Sequence, residues 1–143
     1  MTVEQRIAAA RESGDASGLV DIVPYYRFLG LTMKATPDGP ICLIPGGEKL
    51  VGNPMLPALH GGVIGALLEA TAIMHLIWTR ESGSLPKIIN LTVEYLRSGR
   101  PVETAAAASV TKLGRRVANV RVEAWQDDRT KPVAYANALF LLT

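Results

Sequence analysis

The chain has 143 residues, a formal net charge of +2 and 48% hydrophobic side chains. That length fits one domain, 1–143, able to bury a core without disulfides or metals. So small a charge argues against a nucleic-acid surface, although local basic groups can still meet an anionic ligand. Cys42 is the only cysteine, so no intrachain disulfide can form, and within its apolar stretch it reads as a small core residue.

The N-terminus, MTVEQRIAAARESGD, lacks the basic start and long apolar core of a signal peptide, which makes the cytoplasm the expected location. Thr2 followed by Gln5 forms a capping-box pattern that opens a short helix, and Ser13-Gly14 closes it. A second helical stretch is expected over 17–27, so a helical segment covers about residues 2–27. Phe28 to Ala35 reads as a strand, Pro37-Asp38-Gly39-Pro40 as a turn, and Ile41 to Ile44 as a second strand. Pro45-Gly46-Gly47 breaks that strand, and 46–59 is expected to be a loop punctuated by Gly52, Pro54 and Pro57.

Gly62 to about Thr79 is the one long helix. Ala, Leu and Ile dominate it, and its polar residues are too few for a solvent-facing stripe, so its surroundings must bury it. Glu69 and His75 within it argue against a membrane span. Ser82-Gly83-Ser84 and Pro86 end the segment. Strands follow over 88–96, 102–113, 115–125 and 133–142, with turns at Gly114 and Asp127-Asp128. In the first of these Ile89, Leu91, Val93 and Tyr95 alternate with Asn90, Thr92 and Glu94. Such period-two alternation buries one sheet face and leaves the other partly polar. Two strands, a buried helix and four strands define an α+β domain, an antiparallel sheet wrapped around one central helix. Pairing of edge strands across a two-fold axis would remove the exposed edges.

Two features carry chemistry. His60-Gly61-Gly62 opens the long helix, where first-turn N–H groups have no helical partner and can polarise a carbonyl; close packing at a crowded helix entry is the structural alternative. Glu69 is the only acid between Val51 and Met74 and lies on a helix that must be buried, where an unpartnered carboxylate is costly. A structural ion pair is the alternative there. Gly61 and Glu69 are separated by eight positions, about 12 Å along a helix axis. A Glu side chain does not readily span that distance. If the two residues share a site, two antiparallel helices related by a two-fold axis must build it.

The run His60-Gly61-Gly62-Val63-Ile64-Gly65-Ala66-Leu67-Leu68-Glu69 resembles the HGG-x4-L-x-[DE] motif of hotdog-fold thioesterases, in particular the PaaI-type acyl-CoA thioesterases. Asn90-Leu91-Thr92-Val93-Glu94-Tyr95-Leu96-Arg97 resembles their first strand after the helix, and the resemblance covers roughly residues 20–142. It implies that the Gly61 N–H binds a thioester carbonyl. It implies that Glu69 of the facing subunit acts as general base or nucleophile. Asn53 resembles the polar residue that positions water or substrate ahead of the motif. His60 is expected to anchor the helix start rather than to move protons.

The resemblance also places Gly62, Asn90, Arg97, Arg115 and Arg116 against the substrate, the arginines on the phosphates of CoA. Charge at strand ends and turns (Arg97, Arg100, Lys112, Arg115, Arg116) is otherwise simply solvated. Some members carry a Ser or Thr near the carboxylate, where this chain has Ile73 and Ile88; Asn90 and Thr71 are candidate substitutes. The implied activity is acyl-CoA hydrolysis by a homodimer or homotetramer, with neither metal nor cofactor, nucleic acid nor membrane. The competing reading is a non-catalytic hotdog protein that holds acyl-CoA or an acyl carrier. His75, Trp78 and Trp125 are expected to be packing residues, His75 with its polar atoms satisfied.

Overall fold

The computed structural model describes residues 1–80 and 84–142. Thr2 and Gln5 do form the capping box: the Gln5 N–H donates to Thr2 Oγ1 at 3.1 Å, and the Thr2 N–H donates to Gln5 Oε1 at 2.8 Å. They open α1 (Val3–Ser13), which Gly14 closes. A 3-10 helix (Ser17–Ile22) and α2 (Pro24–Leu29) follow. Phe28 and Leu29, expected in a strand, belong to α2. Proline at the first helical position starts that helix with its φ already set, and Gly30 in the left-handed region (φ 72°) ends it.

Strands β1 (Thr32–Thr36) and β2 (Gly39–Ile44) form a hairpin. The segment expected to be a loop contains a 3-10 turn (Glu48–Leu50) and a small hairpin, β3 (Val51–Asn53) and β4 (Ala58–Leu59). Helix α3 runs from Gly61 to Thr79. The expected stop at Ser82-Gly83 lies outside the described residues. Strands β5 (Lys87–Tyr95), β6 (Thr104–Leu113), β7 (Val117–Trp125) and β8 (Ala134–Leu141) complete the chain.

One antiparallel six-stranded sheet runs in the order β1-β2-β6-β7-β8-β5, and it wraps around α3. Alanines recur on its inner face: Ala106, Ala118, Ala124, Ala134, Ala136 and Ala138 are all buried. Small side chains let the large residues of α3, among them Leu67, Leu68, Met74, Leu76 and Ile77, seat close to the sheet. Phe140, Val120 and Ile44 fill the remaining depth. The buried set extends from Ile7 of α1 to Leu142 as one core cluster. α3 is long and apolar enough to cross a membrane, and here it is packed within the sheet.

The two ends of α3 are closed differently. At the C-terminal end the Arg11 guanidinium of α1 donates to the Ile77 carbonyl, occupying one of the acceptors that a helix end leaves free. His75 is buried as expected, yet its Nδ1 has no partner among the described residues. The imidazole lies against Gly39, where an added Cβ would stand 2.6 Å from Nδ1 and where φ is +113°, so glycine is required twice over. Burial holds the His75 pKa below the ordinary value, so the ring is neutral at neutral pH.

Among the described residues, β5 forms one edge of the sheet and pairs only with β8. A register shift between Ile88 and Asn90 lets Ile88 and Leu91 sit opposite the inward-facing Phe140 and Ala138. Ile88, Ile89, Tyr95 and Leu96 are exposed along this edge.

Candidate active site

The site begins at the last residue before α3. His60 is the N-cap, and its Nδ1 accepts the Gly62 N–H at 2.8 Å. A neutral imidazole that accepts at Nδ1 carries its proton on Nε2. His60 therefore does at a helix start what Ser or Asp usually does. A Cβ on Gly62 would stand 2.9 Å from the ring, so a side chain there would push the cap away. The Gly61 N–H has no acceptor among the described residues. A Cβ on Gly61 would meet only the Tyr95 ring and hydroxyl at 3.4 Å or more, ordinary contact distances, so nothing inside the chain forces glycine there.

This free N–H lies beside a cleft of about 440 Å³ lined by Asn53, Leu56, Gly61, Tyr95, Arg97 and Gly99, among others. Asn53 sits on the β3–β4 hairpin, where its Oδ1 accepts the Met55 N–H at 3.0 Å and its amide nitrogen has no partner among the described residues. Arg97 follows β5 and donates to the Pro132 carbonyl. The fold thus gathers Asn53 and Gly61, eight positions apart, and the distant Arg97 at one end of the molecule.

Glu69 stands two turns further along α3. Its neighbours Leu67, Leu68, Ala70 and Thr71 are fully buried, whereas Gly62, Ala66 and Glu69 retain exposure. Spacings of four and three place those three residues on one open stripe of the helix. The carboxylate has neither a hydrogen-bond nor an ion-pair partner among the described residues, which removes the structural ion pair as its explanation within this chain. Burial pushes its pKa above the ordinary carboxylate value. Tyr26 of α2 is buried close by: burial raises its pKa, and the Glu69 charge pushes the same way. The phenol is therefore neutral and within reach of the Glu69 charge. Cys42 is no nucleophile, because burial raises its thiol to about 12.

Other expected site residues lie elsewhere. Asn90 is on the sheet face turned away from α3, where its Oδ1 accepts from Thr92 Oγ1 at 3.2 Å and where it joins Thr111, Asn119 and Asn137 in a shallow polar depression. Alternation with Leu91 and Val93 puts it there, so it cannot take the place of a hydroxyl beside Glu69 within its own chain. Thr71 is buried and donates to the Leu67 carbonyl at 2.6 Å, so its hydroxyl proton is already committed. Arg115 and Arg116 occupy the β6–β7 turn next to Leu142, at the opposite end of the sheet from Arg97. The length of β7 separates them by on the order of 25 Å. Two neighbours of the site, Tyr26 and Tyr95, were not singled out from sequence. The inward phase of Tyr95 on β5 was a usable signal; Tyr26 depends on how α2 docks and had none.

An antiparallel sheet wrapped around one long central helix defines the hotdog class. The model of the thioesterase superfamily matches residues 56–133, and the chain belongs to that family. It is 29% identical over 134 aligned positions to the medium/long-chain acyl-CoA thioesterase YigI of Salmonella typhimurium, covering 84% of this chain and 86% of that protein. A crystal structure from Chromobacterium violaceum is similar at 44% identity and a TM-score of 0.79, covering 97% of both chains. Another from Shewanella oneidensis, described as related to the thioesterase superfamily, has 26% identity and a TM-score of 0.78, covering 96% of this chain and 97% of that one.

Proposed function

We propose that the protein hydrolyses acyl-CoA thioesters at a site shared by two copies of the chain. One observation carries this reading: a carboxylate and a helix-start N–H, neither with a partner among the described residues, lie on the same helix, yet too far apart to meet on one carbonyl. The nature of the YigI relative, an acyl-CoA thioesterase, supports the choice of substrate.

An antiparallel two-fold that crosses α3 at the level of Gly65, midway between 61 and 69, sets Gly61 of one protomer opposite Glu69 of the partner subunit. The unpaired edge of β5, with its exposed Ile88 and Ile89, is the surface that such pairing would cover. Pairing of two dimers would give a homotetramer.

In this site the Gly61 N–H donates to the thioester oxygen. Glu69 removes a proton from water as the water oxygen bonds to the carbonyl carbon. The oxyanion collapses, the C–S bond breaks, and the proton held by Glu69 passes to the departing thiolate. A carboxylate whose pKa is raised by burial is a stronger base than a free one and suits this step. Asn53 and Arg97 line the approach to Gly61 and meet the pantetheine or phosphate end of the substrate. Arg115 and Arg116 are too remote to do so in the same protomer; the partner's end of the sheet is where they would contribute.

A non-catalytic acyl-CoA-binding protein is the second reading, and one observation favours it: Ile73 and Ile88 stand at the positions where some family members carry a Ser or Thr hydroxyl. Release of free thiol from a panel of acyl-CoAs of different chain length separates the two. The proposal expects turnover that Glu69→Gln reduces by about 100-fold or more. Saturable binding without thiol release would establish the second reading.

A further inference from the structure

The Gly61–Gly62 peptide group is held at both ends by side chains. Its N–H donates to His60 Nδ1 at 2.8 Å, and its carbonyl, that of Gly61, accepts the Tyr95 hydroxyl at 2.7 Å. A helical carbonyl uses one lone pair in the helix ladder and has a second to give, so the Tyr95 bond adds to the helix rather than competing with it. Tyr95 stands on the last residue of β5, with its inward phase pointing at the helix start. Its hydroxyl would lie 3.4 Å from a Cβ on Gly61 and 3.7 Å from one on Gly65. The phenol thus rests against two glycines one turn apart, on a part of α3 with no side chains of its own.

The consequence concerns the amide preceding this peptide. Two glycines in succession give the helix start unusual freedom, and an N–H aimed at a reacting carbonyl stabilises an oxyanion only if its direction is fixed beforehand. His60 restrains one side of the Gly61–Gly62 peptide and Tyr95 the other, so the Gly61 torsions, and with them the direction of the Gly61 N–H, are set by two clamps. We infer that Tyr95 is a positioning residue, whose hydroxyl aims the Gly61 N–H into the cleft by holding the Gly61 carbonyl. The inference rests on the proposed role of Gly61. Tyr95 stands on a different element from the helix-start motif and ties the β5 edge to the polarising group.

Tyr95→Phe removes the hydroxyl and keeps the ring. The expected result is a fall in kcat of about tenfold, with KM within about twofold of wild type, because aiming acts on the developing oxyanion more than on ground-state binding. Amide hydrogen exchange gives a readout that needs no substrate: Gly62 and its neighbours in the first turn of α3 should exchange faster in Tyr95→Phe, while the core amides of β7 stay unchanged. An unchanged kcat in an active protein would overturn the inference. If wild type released no thiol from any acyl-CoA, the proposed function would fail by itself, and exchange would still decide the role of Tyr95: unaltered Gly62 protection would overturn it.

Discussion

The two halves of α3 follow opposite rules. From Ala70 to Ile77 every residue is buried, the Thr71 hydroxyl bonds back to the helix, and Arg11 closes the far end. From Gly61 to Glu69 the helix contains three glycines, a free N–H, an unpartnered carboxylate and an open stripe. Composition alone does not separate them, since both are apolar. What differs is exposure: the orphan of the closed half, His75 Nδ1, is sealed in the core, whereas the free groups of the other half face open surface, where they are available to a ligand. One half holds the fold together and the other is left for chemistry.

That contrast can be broken by substitution. Leu76 is fully buried in the closed half, so Leu76→Ala should destabilise the protein by about 2–5 kcal/mol through lost burial and a cavity. The kcat of the remaining folded fraction should stay near wild type. Denaturant melts combined with active-site-normalised turnover check both parts. A kcat loss as large as that of Glu69→Gln would mean that the two halves are not separable.

A smaller effect sharpens the same comparison through pH. Glu69 has a folded pKa raised above 4.5, so its ionisation costs nothing below that pH and a cost develops as pH rises through the folded value. His75 in the closed half has a folded pKa below 6.5, so its cost is absent above that pH and grows as pH falls. Glu69→Gln should therefore raise stability at neutral pH, give no gain near pH 4, and leave the acid-side loss from His75 in place. Melting temperature against pH for both proteins tests this; a variant less stable than wild type at pH 7 would imply a stabilising partner for Glu69.

Much of this arrangement is legible from residue pattern, because the period-two strands after Pro86 and the long apolar helix each have a single economical packing. Glu69 announced itself as the lone acid of an apolar helix, and His60-Gly61-Gly62 as a helix start. Local propensity misled at Phe28 and Leu29, whose apolar character suits strand and short helix alike; the proline and glycine that decide between them stand at either side. The β3–β4 hairpin was hidden because it is only a few residues long and rich in Gly and Pro. Asn90 shows a different failure. Its alternation with Leu91 already placed it on the outer face, and similarity to a family strand suggested a place beside Glu69 that its phase does not permit within its own chain. Tyr26 could not be found from sequence, since the electrostatic influence of Glu69 on it is a product of tertiary docking.

The central claim is that two subunits build one site, and subunit mixing tests it most directly. Glu69→Gln removes the base, and Gly61→Val keeps the N–H but puts an isopropyl group in the cleft where the thioester must reach it, so each should abolish thiol release alone. When the two are coexpressed, a mixed dimer joins the intact Gly61 of one protomer to the intact Glu69 of the partner subunit and regains one working site of the two. Random association then predicts recovery of roughly a quarter of wild-type activity. Mixed dimers that form, as shown by differential tagging, yet release no thiol would contradict the account.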